Sequence, residues 1–256
     1  MFKTRILPVL LLDGENLVKG EQFKKHKYIG DPINTINIFN EKNVDELIFL
    51  DISVTKNKLP PNYKFIKEIA DEAFMPFCYG GGITSVNQIE KIFKIGVEKV
   101  LINTAAYYTP NLIKDASHIA GSQSIVVSVD VKKKILGGYD VYIKNGTVKI
   151  KENLIDYLRK LQDLGAGEIV ITSIDREGTG IGYDIELLQL VSDKVNIPVI
   201  ALGGAKNLND FYEAKKTTNV SGLAAGNMFV FYGKHKAVLI SYPEYSELNK
   251  LLYNLK

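Results

Sequence analysis

The chain has 256 residues, 46% hydrophobic and 24% charged, enough for one sizeable core and close to the length of a single eight-stranded α/β barrel. The net charge of +3 is spread over scattered lysines, no finger spacing or RNA-binding aromatic motif occurs, and no apolar run approaches the about 20 residues of a membrane span, so nucleic-acid-binding and membrane-spanning classes are set aside. One cysteine, Cys78, permits no internal disulfide and no metal cluster and fits a reducing cytoplasm, while the diffuse positive field suits a phosphorylated small molecule as well as it suits plain solubility.

In chain order, the apolar run from Ile6 to Leu12 lacks a small-residue cleavage site and reads as part of a first strand, not as a secretory signal. β-Branched apolar runs predict eight strands over 5–12, 46–52, 77–79, 99–102, 124–129, 168–172, 199–202 and 222–224. Helical periods separate them, such as 85–95 with Val86, Ile89, Ile92 and Phe93 on one face, and 153–164 with Leu154, Leu158 and Leu161. Residues 137–146 read as a small hairpin with an Asn145-Gly146 turn inserted after the fifth strand.

A repeat organises these elements. A shift of 122 positions carries Pro76-Phe-Cys-Tyr-Gly-Gly-Gly-Ile onto Pro198-Val-Ile-Ala-Leu-Gly-Gly-Ala, Val100-Leu-Ile-Asn-Thr onto Gly222-Leu-Ala-Ala-Gly, and Asp45-Glu-Leu-Ile-Phe onto Gly167-Glu-Ile-Val-Ile. At the first strand of each half the shift becomes 119 and pairs Ile6-Leu-Pro-Val-Leu-Leu with Ile125-Val-Val-Ser-Val-Asp. The expected fold is α/β, a single (β/α)8 TIM barrel built from two similar half-barrels, about 1–122 and 123–256.

The glycines Gly80, Gly81 and Gly82, and Gly203 with Gly204, follow strands and precede helices; each group reads either as a tight turn or as a backbone cradle for phosphate. Duplication favours the cradle, because each pairs with a second loop at the end of the next strand, Asn103-Thr104 or Ala225-Gly226. Two such sites imply a long ligand with a phosphate at each end. Asp130 ends the fifth strand, where a barrel enzyme places its acid or base, and reads alternatively as a cap or as a partner of Lys132 or Lys133. Asp51 and Asp175, at the ends of the second and sixth strands, share that ambiguity, and Lys19 reads as a phosphate clamp or as a solvated side chain. Arg5, Glu46, Lys99 and Glu168 fall at strand beginnings and ring the barrel bottom with alternating sign, either for stability or as a polar gate.

The stretches Val44-Asp-Glu-Leu-Ile-Phe-Leu-Asp-Ile, Gly80-Gly-Gly-Ile, Lys99-Val-Leu-Ile-Asn-Thr-Ala-Ala, Gly165-Ala-Gly-Glu-Ile-Val-Ile-Thr-Ser-Ile-Asp-Arg and Gly178-Thr resemble the cyclase subunit of imidazole glycerol phosphate synthase (HisF-like) over nearly the whole chain. The resemblance implies a barrel that needs no cofactor, receives ammonia from a glutaminase docked at its bottom, and uses it on a bis-phosphorylated substrate at the top. It makes Arg5, Glu46, Lys99 and Glu168 the ammonia gate, Glu98 a docking residue, and Asp175 and Gly178 part of the substrate site. The family uses two aspartates as acid and base; this chain offers Asp130 for one and Leu11 for the other, with Asp13 two residues on as a displaced substitute. Leu202 replaces a small polar residue, and Gly226 replaces a serine of the second phosphate loop. Such departures are similar to those of paralogues that supply ammonia to a separate sugar amidotransferase making acetamidino surface sugars such as those of O-antigen. The alternatives are an ordinary cyclase of histidine biosynthesis, the related ribosyl-imidazole isomerase, and a non-catalytic activator of the glutaminase.

Overall fold

The structure is a computed structural model and describes residues 4–252. The first half runs β1 (Arg5–Asp13), β2 (Asn16–Glu21), β3 (Lys24–Gly30), α1 (Pro32–Glu41), β4 (Leu47–Asp51), α2 (Ile52–Asn57), α3 (Tyr63–Glu72), β5 (Phe77–Gly80), α4 (Val86–Ile95), β6 (Lys99–Ile102), α5 (Thr104–Tyr108) and α6 (Asn111–Ala120). The second continues with β7 (Ile125–Lys133), β8 (Tyr139–Ile143), β9 (Val148–Lys149), α7 (Leu154–Asp163), β10 (Glu168–Ser173), α8 (Ile185–Ser192), β11 (Val199–Leu202), α9 (Leu208–Thr217) and β12 (Gly222–Ala225). The described chain ends in α10 (Asn227–Val230), β13 (Phe231–Tyr232), β14 (Ala237–Val238) and α11 (Tyr245–Leu252).

The strands β1, β4, β5, β6, β7, β10, β11 and β12 pair in that order, all parallel, and β12 returns to β1 with Arg5 opposite Gly222, so the sheet closes into the expected (β/α)8 barrel. Alternation along each strand divides the core into two layers. In β1, Ile6, Leu10 and Leu12 pack toward the helices, while Leu7 and Val9 fill the barrel interior with Ile48, Cys78, Leu101, Val126, Val170, Ile200, Leu202 and Ala224. Burial on both faces is why these strands read as near-continuous apolar runs.

The repeated sequence also sets helix starts. Ser85 and Gln88 form a capping box on α4, and Asn207 and Asp210, at the shift of 122, form another on α9. The hairpin expected over 137–146 is present but extends further: β8 pairs antiparallel with β7 and with β9 at Val148–Lys149, and Lys144, Asn145 and Gly146 turn with φ of 52°, 54° and 72°. Strand ends shift slightly from the sequence expectation. β4 starts at Leu47, and Ile52 opens α2 because Asp51 caps that helix. The hairpin of β2 and β3 was not anticipated; it pairs with β1 through Leu11 and Val18 and lies over the barrel mouth. Among the described residues no helix is long and apolar enough to cross a membrane.

Candidate functional site

A cavity of about 540 Å³ opens at the carboxyl ends of the strands. Its polar wall holds Asn103, Thr104, Ser128, Asp130, Thr172 and Glu177, and its apolar wall holds Val9, Leu11, Leu50 and Leu202. Asp130 is 7% exposed; Asn103 Nδ2 donates to its Oδ2 at 3.1 Å and Ser128 Oγ to its Oδ1 at 3.4 Å. Burial pushes its carboxyl up to about 7, against the opposing pull of hydrogen bonds from Thr172, Ser128 and Asn103. A carboxyl that titrates near neutrality suits general acid–base work. The alternative partners are occupied elsewhere: Lys132 Nζ sits 4.4 Å from the centre of the Tyr142 ring, and Lys133 pairs with Glu186.

Opposite Asp130, Leu11 borders the cavity beside its β4 neighbour Leu50. Asp13 does not reach the cavity: it is exposed at the turn into β2, paired with Asn16, so strand alternation puts it on the right face but past the rim. Asp51 borders the cavity, but its Oδ1 accepts from the Ser53 N–H at 3.0 Å, the Ser53 hydroxyl at 2.8 Å and the Val54 N–H at 3.3 Å, which makes it the cap of α2. Asp175 faces away; its carboxylate takes the Lys133 N–H at 2.8 Å and its carbonyl takes Gln22 Nε2 at 2.8 Å. Gly178 also serves packing and stands outside the cavity: with φ of 75°, a Cβ there would meet the Gly20 carbonyl at 2.4 Å where the first hairpin rests on this loop.

The two glycine loops differ in what they face. Gly80, Gly81, Gly82, Asn103 and Thr104 border the cavity. At Gly81, φ of 143° and a would-be Cβ 2.7 Å from the Asp51 carbonyl leave room for glycine alone. Gly203, Gly204, Ala225 and Gly226 do not border it. The Lys19 ammonium lies against Gly226, 2.1 Å from where a Cβ would stand. Lys19 is 2% exposed, donates to the Val9 carbonyl, and is pulled down to about 8 by burial, with the charge of Glu177 acting the other way. Sequence reasoning left Lys19 open between clamp and solvated side chain; the solvated reading is excluded. Glu177, which sequence reasoning missed, borders the cavity, and burial raises its carboxyl against the pull of Lys19. Its only local signal was position, immediately before Gly178 in the loop after β10.

At the bottom, Arg5, Glu46, Lys99 and Glu168 meet in a closed ring. Arg5 pairs with both carboxylates, and Lys99 Nζ stands 2.9 Å from Glu46 and 3.2 Å from Glu168. Both glutamates are 5% exposed, so each needs its two cationic partners to offset lost hydration. Cys78 lies in the interior core near this ring, and burial pushes its thiol well above the ordinary range, leaving a neutral packing group. Glu98 is exposed beside the ring, with one oxygen accepting from the Phe77 N–H at 3.0 Å.

A closed barrel with an ionisable carboxyl at its mouth and an ion ring at its base defines an enzyme-type (β/α)8 protein, and comparison with known proteins narrows the class. Residues 5–236 match the family described as histidine biosynthesis protein, and the chain belongs to that family. Within it the chain is HisF-like. It is 49% identical over 249 residues to a Pseudomonas aeruginosa protein provisionally named imidazole glycerol phosphate synthase subunit hisF2, covering 97% of this chain and 99% of that one. A Leptospira borgpetersenii protein, provisionally named subunit HisF of the same synthase, is 46% identical over 244 residues, with 95% of this chain and 96% of the relative covered. The imidazole glycerol phosphate synthase subunit HisF of Streptococcus mutans is 37% identical over 234 residues, covering 91% and 93%.

Proposed function

We propose that this HisF-like subunit accepts ammonia from a glutaminase docked at the barrel bottom, passes it through the ring and the apolar interior to the mouth, and supports amidination of a surface sugar by a separate amidotransferase. One observation carries the reading: the bottom retains a complete four-charge ring, while at the mouth the buried carboxyl of Asp130 faces Leu11 on the opposite wall. Delivering ammonia needs the ring. Closing an imidazole ring needs protons moved at two places, and Leu11 moves none. That relatives such as the Streptococcus mutans HisF are named as subunits of imidazole glycerol phosphate synthase supports a partner subunit for this chain.

The test is reconstitution with the glutaminase from the same genome. The purified pair should associate at micromolar concentration; Glu98→Lys should weaken association, and Lys99→Ala should leave association intact while uncoupling glutamine hydrolysis from ammonia arrival at the mouth. Failure of the wild-type pair to associate would remove the ammonia-transfer reading.

A further inference from the structure

Large apolar side chains left in water gather on the loops that follow the barrel strands: Tyr28 on β3, Leu59 after α2, Tyr108 at the end of α5, and Ile135 and Leu136 at the turn between β7 and β8. Phe74 and Ile119 are exposed at the opposite end of the barrel. Leu59 and Tyr108 border the cavity itself. β7 runs past Asp130 to Lys133 before the chain turns through 134–138 and returns as β8, so Ile135 and Leu136 stand beyond the rim, and both are fully exposed. The turn does not need them. It is closed by the Lys134 N–H to the Gly138 carbonyl at 2.9 Å, with Gly137 and Gly138 at positive φ, and polar residues at its tip would serve as well.

The same rim is basic. Lys24, Lys25 and Lys27 lie on β3, Lys56 and Lys58 at the end of α2, and Lys134 at the tip of the second hairpin; all are exposed, and among the described residues none forms an ion pair. The acids nearby are fewer: Asp13 and Glu15 are exposed, while Glu21 pairs with Lys236 and Glu186 with Lys133. β3 pairs with β2 alone, so its outer edge is open. Lysines by themselves would draw in a small anion. Ile135 and Leu136 serve no anion, and exposed aliphatics among tyrosines are what a protein interface buries. A flat bilayer laid on this rim would bridge the open cavity and leave water beneath it, whereas a protein surface can fill the concavity and close it.

We propose that the rim of the mouth is the docking face for the ammonia-consuming amidotransferase, a protein that sets an acidic surface against the rim lysines and an apolar recess over Ile135 and Leu136. Charge complementarity selects the partner's sign, and the apolar tip supplies the contact that a small anion cannot use. The position fits the chemistry. Ammonia released into water near neutral pH takes up a proton and is no longer a nucleophile, so a consumer seated over the mouth receives it while it can still react. The inference rests on the ammonia-transfer reading and adds where the acceptor sits.

The experiment measures association of the full chain, bound to its glutaminase, with the sugar amidotransferase from the same genome. Wild type should bind at micromolar concentration and lose about tenfold in affinity between about 50 and 300 mM salt. Ile135→Ser with Leu136→Ser should weaken binding about tenfold or more, as should Lys25→Glu with Lys27→Glu, while Lys64→Glu, the same charge change on the side of the barrel, should not. The tip and β3 variants should release ammonia from glutamine at the wild-type rate yet lose glutamine-driven amidination, and ammonium salt should restore the product. Wild type that does not bind the amidotransferase, or tip and β3 variants that bind and support it as wild type does, would overturn the proposal. So would binding to phosphatidylglycerol vesicles in place of the amidotransferase, which would make the rim a membrane surface. Ammonia delivery is read separately by glutamate dehydrogenase: its absence in wild type defeats the ammonia-transfer reading, whereas its presence with unaltered rim variants defeats this inference alone.

Discussion

The first and second halves of the barrel mouth share a backbone and differ in access. Gly81 and Gly203 are constrained alike: each has positive φ, 143° and 104°, and at each a Cβ would come within 2.7 Å of a carbonyl of the preceding strand's end, Asp51 or Ser173. Beyond that common plan the caps of the following helices differ: Asn103 borders the cavity, whereas Gly226 lies against Lys19. The contrast teaches that a duplicated scaffold fixes where a glycine loop stands, while an inserted hairpin decides what lies against it.

The largest effect should come from breaking what the halves share. Gly81→Ala and Gly203→Ala should each destabilise the protein by about 3 kcal/mol or more, because strained φ and a backbone clash combine at both. Urea unfolding of the two variants checks this, and a large loss in one half alone would show that the loops are not equivalent.

A second effect concerns Asp130. Its carboxyl rises from the ordinary 3.8 to about 7 on folding, so between those values the native state holds a proton that the unfolded state has lost. Stability should therefore fall as pH rises from about 4 to 7, with the full cost of ionising this buried group present above 7. Asp130→Asn should then raise Tm at pH 8, equivalent to a few kcal/mol, and change it little at pH 4. Equal shifts at both pH values would contradict the assignment.

Smaller still is the change that separates the halves. Gly226→Ala should cost about 1–3 kcal/mol by pushing Lys19 off the Val9 carbonyl, and Lys19→Met should remove most of that extra cost in the double variant. Full additivity in a double-mutant cycle would mean that Lys19 and residue 226 do not compete for one space.

These comparisons also mark what the sequence made legible. The eight barrel strands could be read because burial on both faces leaves short, near-continuous apolar runs, and their boundaries fell within a few residues of those in the structure. The ring was legible because Arg5, Glu46, Lys99 and Glu168 sit at strand beginnings, where only one end of the barrel is available to them. The hairpin of β2 and β3 was not. Its turn uses Gln22 and Phe23 at φ of 51° and 62°, residues that give no Asn-Gly signature, and β3 is a mostly exposed, lysine-rich strand with no apolar face. Since that hairpin carries Lys19, the asymmetry of the mouth was hidden with it. Asp13 was misplaced for a related reason: alternation gives the side of a strand and not how far the cavity extends along it.

The proposed role turns on Leu11. Imidazole product formation from the histidine-pathway intermediate should be measured at saturating ammonium salt for the wild type, Leu11→Asp and Asp130→Asn. On the proposed reading, in which Leu11 stands where a second proton-moving group would be needed, the wild type should turn over about 10²–10⁴-fold more slowly than an ordinary cyclase, a deficit of about 3–5 kcal/mol in barrier lowering. Wild-type turnover equal to that of an ordinary cyclase would contradict the account and return this chain to histidine biosynthesis.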